Sequence, residues 1–434
     1  MSTVAPARPQ GAARRRYGVL LLLTVVYAFN FIDRQILGIL APYIQADLKL
    51  DDGQLGLLAG FYFALFYTVV GLPIAWLADR YNRVTIVAVS LAVWSGFTAA
   101  SGLAGSYVQL ALARMGVGIG EAGGSPPSHS MISDLFASHE RARALSLYSL
   151  GIPIGIMVAY FASAALLGQT ELNWRAVFIA VGLPGVLLAV VLKLLVAEPA
   201  RGAMEQKPAK PMGFGAAMTA LLRIPSYWTM CLGISFASFV AYALSTFTVV
   251  FLRRRFPDFP VFDLLVFLGI AHGVAYASGT YLGGVVADRW GQATRAGYAL
   301  TPVLSLSVGL PCMLAFLWTD SVAATLVALT LYLVTIGFHL GPSFSIAQSL
   351  APVSIRATST AIFFFVLNLI GLGAGPSYAG FVSDALTENH GELEALRLAL
   401  TSLGAVTLIA IGCFALAARS LPRDWEVATR GGAG

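Results

Sequence analysis

Two stretches of this sequence place full charges inside runs that are otherwise apolar. The first is Arg114-Met115-Gly116-Val117-Gly118-Ile119-Gly120-Glu121, and the second is Asn30-Phe31-Ile32-Asp33-Arg34. Arg114 and Glu121 are seven residues apart, two turns of a helix, so both lie on one stripe. Asp33 and Arg34 are adjacent and point roughly 100° apart, so they do not face each other. Tyr27 and Asn30 share the Arg34 stripe. Ionisable groups at membrane depth are costly, and they mark substrate routes and proton relays. The economical pairings run across helices: Asp33 with Arg114, or Arg34 with Glu121. Two acids and two bases are neutral when all are ionised. A proton on one acid leaves the cluster positive and frees a guanidinium, and one unit of charge in a partly dry site shifts a two-state equilibrium by roughly a few kcal/mol. Asp33 and Glu121 are therefore the candidate proton-coupling acids, with Asp33 preferred. Arg34, Arg114, Asn30 and Tyr27 are candidate substrate contacts. The competing reading is a permanent salt bridge that only fixes helix packing.

The elements that must hold these charges are membrane spans. Of 434 residues 58% are hydrophobic and 11% charged, against about 25% charged in soluble proteins. Apolar runs of about 20 residues, the length a bilayer requires, recur throughout. Twelve spans are expected: 17–43, 53–77, 83–104, 107–132, 141–167, 174–196, 225–251, 262–287, 294–317, 322–340, 356–382 and 393–418. This predicts an all-α membrane protein of two pseudo-symmetric six-helix bundles. Residues 1–16 form an unstructured cytoplasmic tail, 17–196 the first bundle, and 197–224 a polar linker. Residues 225–418 form the second bundle and 419–434 a short polar tail. Gly116, Gly120 and Gly124 make a stripe without side chains against which another helix can pack closely.

The larger share of the 27 Lys and Arg falls in the tails and even-numbered loops, which predicts that both termini are cytoplasmic in a multi-pass plasma membrane protein, or an inner membrane protein if bacterial. Arg253-Arg254-Arg255 opposes that pattern, and snorkelling at the end of the seventh span is the simplest expectation. The same placement of the net charge of +6 argues against nucleic acid as a partner. Cys231, Cys312 and Cys413 have neither metal-site nor disulfide spacing. No Gly-x-Ser-x-Gly, Walker loop or metal-spaced His or Cys set occurs, so neither an enzyme nor ATP-driven export is expected, and no cofactor.

The halves repeat. Ala75-Trp76-Leu77-Ala78-Asp79-Arg80-Tyr81-Asn82-Arg83 follows the second span, and Gly284-Val285-Val286-Ala287-Asp288-Arg289-Trp290-Gly291-Gln292 follows the eighth. Arg143-Ala144-Leu145-Ser146 opens the fifth span and Arg356-Ala357-Thr358-Ser359 the eleventh. These Asp-Arg loops resemble the signature of the major facilitator superfamily. The first copy has Ala75 and Asn82 where glycines are common, and Asn82 is expected to adopt the left-handed turn. Within the superfamily, Asn30–Arg34, Arg114 through Glu121-Ala122, and Ile132-Ser133-Asp134-Leu135-Phe136 resemble the spinster family of lipid transporters. The first two motifs are also similar to those of organic anion symporters. The resemblance implies that the first and fourth helices line a central cavity.

Asp79, Arg80, Arg83, Asp288, Arg289, Arg143 and Arg356 are expected to form a cytoplasmic gate. In it Asp79 would meet the N-terminus of the eleventh helix and Asp288 that of the fifth. His339 lies in the tenth span near the place Glu121 takes in the fourth, and is a candidate substrate contact. His272 and His129 read as packing residues. Phe236, Phe239, Tyr242 and Phe363 to Phe365 make the second half rich in aromatics, with Phe236 and Tyr242 as candidate contacts for an apolar tail. The sequence thus predicts a monomeric, proton-coupled transporter for an amphipathic lysolipid or sphingoid-type lipid. A symporter of small organic anions is the alternative, and a transporter-derived receptor or scaffold is a reading of another class.

Overall fold

The computed structural model describes residues 10–167, 174–201, 214–351 and 355–431. Among them are helices and turns, with no strand. Helix 1 is Gln10–Leu48, helix 2 Asp52–Ala78 and helix 3 Arg83–Ser101. Helix 4 is broken into Tyr107–Glu121 and Ser125–Leu135, and helix 5 joins Ser138–Ser149 to Gly151–Leu167. Helix 6 is Trp174–Leu195, helix 7 Pro225–Arg255, helix 8 Val261–Ala293 and helix 9 Gly297–Trp318. Helix 10 is broken into Val322–Gly337 and Leu340–Ser349. Helix 11 spans Thr358–His390 and helix 12 Glu392–Gly431. Eleven of the twelve expected spans are helices long and apolar enough to cross a membrane among the described residues; the fourth is made of two shorter helices, and helix 10 is interrupted at the corresponding place.

Local chemistry sets several boundaries. Asp51 and Gln54 form a reciprocal capping box at the start of helix 2, satisfying amides that have no partner inside the helix. Ser106 caps helix 4, and Gly391, with φ of 76°, ends helix 11. Asn82 does not take the left-handed turn expected of it. It is extended (φ −60°, ψ 114°) and its side chain caps helix 3 through the Thr85 amide. Of the N-terminal tail expected to be unstructured, residues 10–16 are helical and 1–9 lie outside the described residues, and the short polar C-terminal tail continues a helix. Helix 1 begins at Gln10, and helix 12 runs to Gly431, where Trp425 stacks on Tyr298 at 5.8 Å. In the expected linker, Phe214–Leu222 is helical, while 202–213 lie outside the described residues.

The glycine stripe of helix 4 packs on helix 3. A Cβ on Gly116 would lie 2.5 Å from the Phe97 ring, and one on Gly120 2.5 Å from the Trp94 amide nitrogen. That contact turns Arg114 and Glu121 away from helix 3 and towards helices 1 and 2. Outward-facing Leu187, Leu194 and Leu282 are exposed, as lipid-facing side chains of a span should be.

The buried apolar residues divide unevenly along the long axis. At the end remote from both termini, one cluster is shared by the halves and joins Ile36, Leu40 and Tyr160 to Phe247, Leu265 and Leu268. At the terminal end there are two clusters. One is built around Leu23, Leu91, Trp94 and Tyr148, the other around Tyr227, Ile234, Phe363 and Phe414. The halves are therefore fused at the far end and parted at the terminal end. Three of the helices that meet across the halves contain a π-type widened turn at the junction: Leu57–Phe61 in helix 2, Ala271–Tyr276 in helix 8 and Leu367–Ala374 in helix 11. Such turns are rare and concentrate at functional sites.

Candidate functional site

Between the halves, below the shared cluster, lies a cavity with about 1160 Å³ of space that opens to solvent. Helix 1 places Arg34 on its wall and helix 4 places Arg114 there. The Arg34 Nε donates to Glu121 Oε2 at 2.8 Å, and Glu121 is fully buried. Of the two pairings that the sequence leaves open, this is the one made directly. Arg114 and Asp33 are each 1% exposed, but Arg114 Nη1 donates to the Asp33 backbone carbonyl at 3.3 Å, not to its carboxylate. The Asp33 carboxyl oxygens face Thr98 and Trp94, and no hydrogen bond closes among them. The site is dense with rings. Arg34 lies 5.1 Å from the Phe63 centroid and 4.9 Å from that of Tyr67, and Arg114 lies 5.7 Å from Phe63. Phe63 thus stands between two guanidinium groups, and such cation–ring contacts are worth about 0.5–2 kcal/mol each.

The remaining candidates separate. Tyr242 and His339 line the cavity with Arg34 and Arg114. Asn30 is buried beside Glu121, behind the wall, with neither amide atom hydrogen-bonded. Tyr27 stacks on Tyr148 at 4.3 Å. Phe236 packs into the second half's own core, as does buried Phe363. Phe364 and Phe365 are exposed, and Phe239 packs at 5.5 Å against Tyr378. The cavity's second-half wall is instead made of aliphatic side chains of helix 10, of Tyr242, Tyr276 and Tyr332, and of hydroxyls including Ser238, Thr246 and Thr248. Consecutive phenylalanines point in different directions on a helix, so their number in the sequence does not fix how many reach a cavity. His272, read as packing, lines the cavity with its Nδ1 2.9 Å from the Leu268 carbonyl.

At the terminal end, Arg83 is 1% exposed and is held by Asp134, by Glu198 Oε1 at 2.7 Å and by the Pro199 carbonyl at 2.8 Å. Arg201 donates to the carbonyls of Ala78, Asp79 and Tyr81. Asp79, Arg80, Asp288, Arg289 and Arg143 are exposed. Arg80 stacks on Trp76 at 3.9 Å, and Asp288 accepts from the Tyr298 hydroxyl of its own half at 3.4 Å. The side chain of Arg356 lies outside the described residues. Among the described residues, no ion pair joins the two halves at this end.

The far end carries a network that sequence reasoning missed. Asp384, near the end of helix 11, accepts the backbone N–H groups of Asp52 and Gly53 at 3.0 and 2.7 Å. A carboxylate from one half thus caps the N-terminus of a helix in the other, where unpaired amides and the helix dipole favour negative charge. Asp52, 4% exposed, takes both Arg254 terminal nitrogens at 2.8 Å, and also the Ser383 hydroxyl and the Gln45 amide, each at 2.7 Å. The backbones approach closely as well. A Cβ on Gly380 would lie 2.2 Å from the Asp52 carbonyl oxygen, and one on Gly56 2.4 Å from that of Pro376. This replaces the snorkelling expected of the triple arginine. Arg254 binds Asp52, Arg255 binds Asp320 at 2.8 Å, and Arg253 donates to the carbonyls of Pro257 and Phe259. The signal in the sequence was the violation of the charge rule itself, opposite the acidic pair Asp51-Asp52.

Comparison with known proteins agrees with this architecture. The family model of the Major Facilitator Superfamily matches residues 23–376. An MFS-type efflux pump of Mycolicibacterium smegmatis is 32% identical over 95% of this chain and 94% of its own. Protein spinster homolog 1 of Xenopus laevis is 26% identical over 95% of this chain and 82% of its own. A crystal structure of a bacterial homologue of the human lysosomal transporter spinster, inward-facing and unoccupied, has 29% sequence identity. It superposes with a TM-score of 0.85, covering 96% of this chain and 99% of that one. With its twelve spans, its paired halves and its central charged cavity, the chain belongs to the Major Facilitator Superfamily of membrane transporters and is similar within it to the spinster proteins.

Proposed function

We propose that this transporter couples protons to the movement of an amphipathic lysolipid or sphingoid-type lipid. The observation that carries the reading is the ion pair of part-buried Arg34 with fully buried Glu121 on the wall of a cavity closed at one end, with Asp33 behind it. The positive charge concentrated at the terminal end supports a cytoplasmic placement of that end, and with it a cavity that opens inwards. The two acids divide the work. Glu121 holds Arg34 in place. Asp33 is the proton site, because neutralising a carboxylate that accepts no hydrogen bond breaks none. A neutral Asp33 leaves the guanidinium groups in excess, and an anionic headgroup then offers the compensating charge.

The hydroxyls on the second-half wall, in place of the expected phenylalanines, favour a second reading: a proton-linked carrier of small organic anions. Proteoliposomes separate the two. Lysolipid uptake driven by a pH gradient is expected in the wild type and is lost in Asp33→Asn. In Glu121→Gln both binding and uptake fall, since Arg34 is released. Uptake unchanged in both variants would remove proton coupling through this cluster. Transport of small carboxylates with none of lysolipids would select the second reading.

A further inference from the structure

Helix 10 offers the cavity a polar contact that the charge cluster does not account for. Leu329, Tyr332, Leu333, Ile336, His339 and Leu340 all line the cavity. Tyr332 and Ile336 stand at i and i+4 on one stripe of the first segment of helix 10, and His339 lies in the turn that breaks the helix, so the two polar groups are on the order of 10 Å apart along the axis. Tyr332 is 5% exposed and His339 2% exposed. The Tyr332 hydroxyl is buried without a hydrogen-bond partner, while the His339 ring is set against the Ile336 backbone carbonyl, one turn earlier on the same helix. Nearby donors are already used. The Thr335 hydroxyl donates to the Tyr332 backbone carbonyl at 2.7 Å, and the Thr335 carbonyl accepts from Ser305. A buried hydroxyl left unpaired costs about 1–3 kcal/mol, so such groups are satisfied in the working state of a protein.

We propose that Tyr332 and His339 read a hydroxyl or carbonyl oxygen on the cargo, across the cavity from the arginines. Tyr332 is then a specificity-determining residue. The substrate class narrows to an anionic or zwitterionic amphipath that carries a second hydrogen-bonding group separated from its charge by an apolar stretch. The apolar stretch packs on Leu333 and Ile336. This rests on the reading of the cavity as the substrate site. Sites built to bond a hydroxyl reject the analogue that lacks it far more strongly than apolar pockets reject an extra methylene.

Matched ligands test this. Binding of octadecanoate and of its positional hydroxy isomers is measured on the full-length protein in nanodiscs, with size-exclusion profiles to confirm folding. The wild type should prefer at least one hydroxy isomer by about tenfold. Tyr332→Phe, which removes one oxygen and keeps the ring, should abolish that preference while octadecanoate affinity stays within about twofold. His339→Gln, which keeps hydrogen-bonding capacity, should retain part of the preference, and His339→Leu none. Equal binding of all isomers by the wild type, or an intact preference in Tyr332→Phe, would overturn the assignment while leaving the cavity as a binding site. Failure of every amphipath to bind would overturn both.

Discussion

The two ends of the molecule are built from similar parts put to opposite use. At the far end, Asp384 of the second half caps helix 2 of the first, and Arg254 grips Asp52. At the terminal end, Asp79 and Asp288 are exposed and make no bond to the opposite half among the described residues. An acid that caps a helix start across the halves is thus seen at the far end. A carboxylate beside a helix N-terminus contributes about 0.3–1 kcal/mol when exposed and up to about 2 when partly buried. A buried bidentate ion pair adds geometric specificity. Between the halves, among the described residues, the far end has both and the terminal end neither, in keeping with a cavity that opens at the terminal end.

This contrast can be broken most forcefully at Arg254. Arg254→Ala leaves Asp52 buried without its cation and should weaken far-end closure by about 3–5 kcal/mol. Pulsed dipolar distances between spin labels on far-end loops should show the halves separating. Gly56→Ala and Gly380→Ala insert a methyl where backbones touch, an overpacking cost of about 1–3 kcal/mol. The same distances should lengthen, and locking of the terminal-end-open form by a cavity ligand should weaken. Asp384→Asn keeps the shape and removes the charge. A shift of about 1 kcal/mol is expected, visible as a larger accessible fraction of a far-end cysteine. Asp288→Ala and Asp79→Ala should change this state by less than about 0.5 kcal/mol. A larger effect in the distance assay would mean that the terminal-end acids already work in the form open at the terminal end.

The spans and the charge cluster were legible because their signals are local. Apolar runs of membrane length, and charges that only a bundle interior tolerates, require no knowledge of partners. The choice of Arg34 for Glu121 was not legible, since it depends on how helices 1 and 4 rotate once Gly116 and Gly120 fix helix 4 on helix 3. The far-end network joins residues more than three hundred positions apart, Asp52 with Ser383 and Gly53 with Asp384. No periodicity encodes such a register. The phenylalanines of helices 7 and 11 misled for a related reason: composition counts rings, while only the azimuth of each helix decides which ring meets the cavity.

The grip of Glu198 on Arg83, together with the cover Arg201 gives to the last carbonyls of helix 2, binds the start of the inter-half connection to the first bundle. A polypeptide broken between Arg201 and Phe214 would keep this rim whole, so co-expression of the two bundles as separate chains is expected to leave these contacts of the first bundle in place.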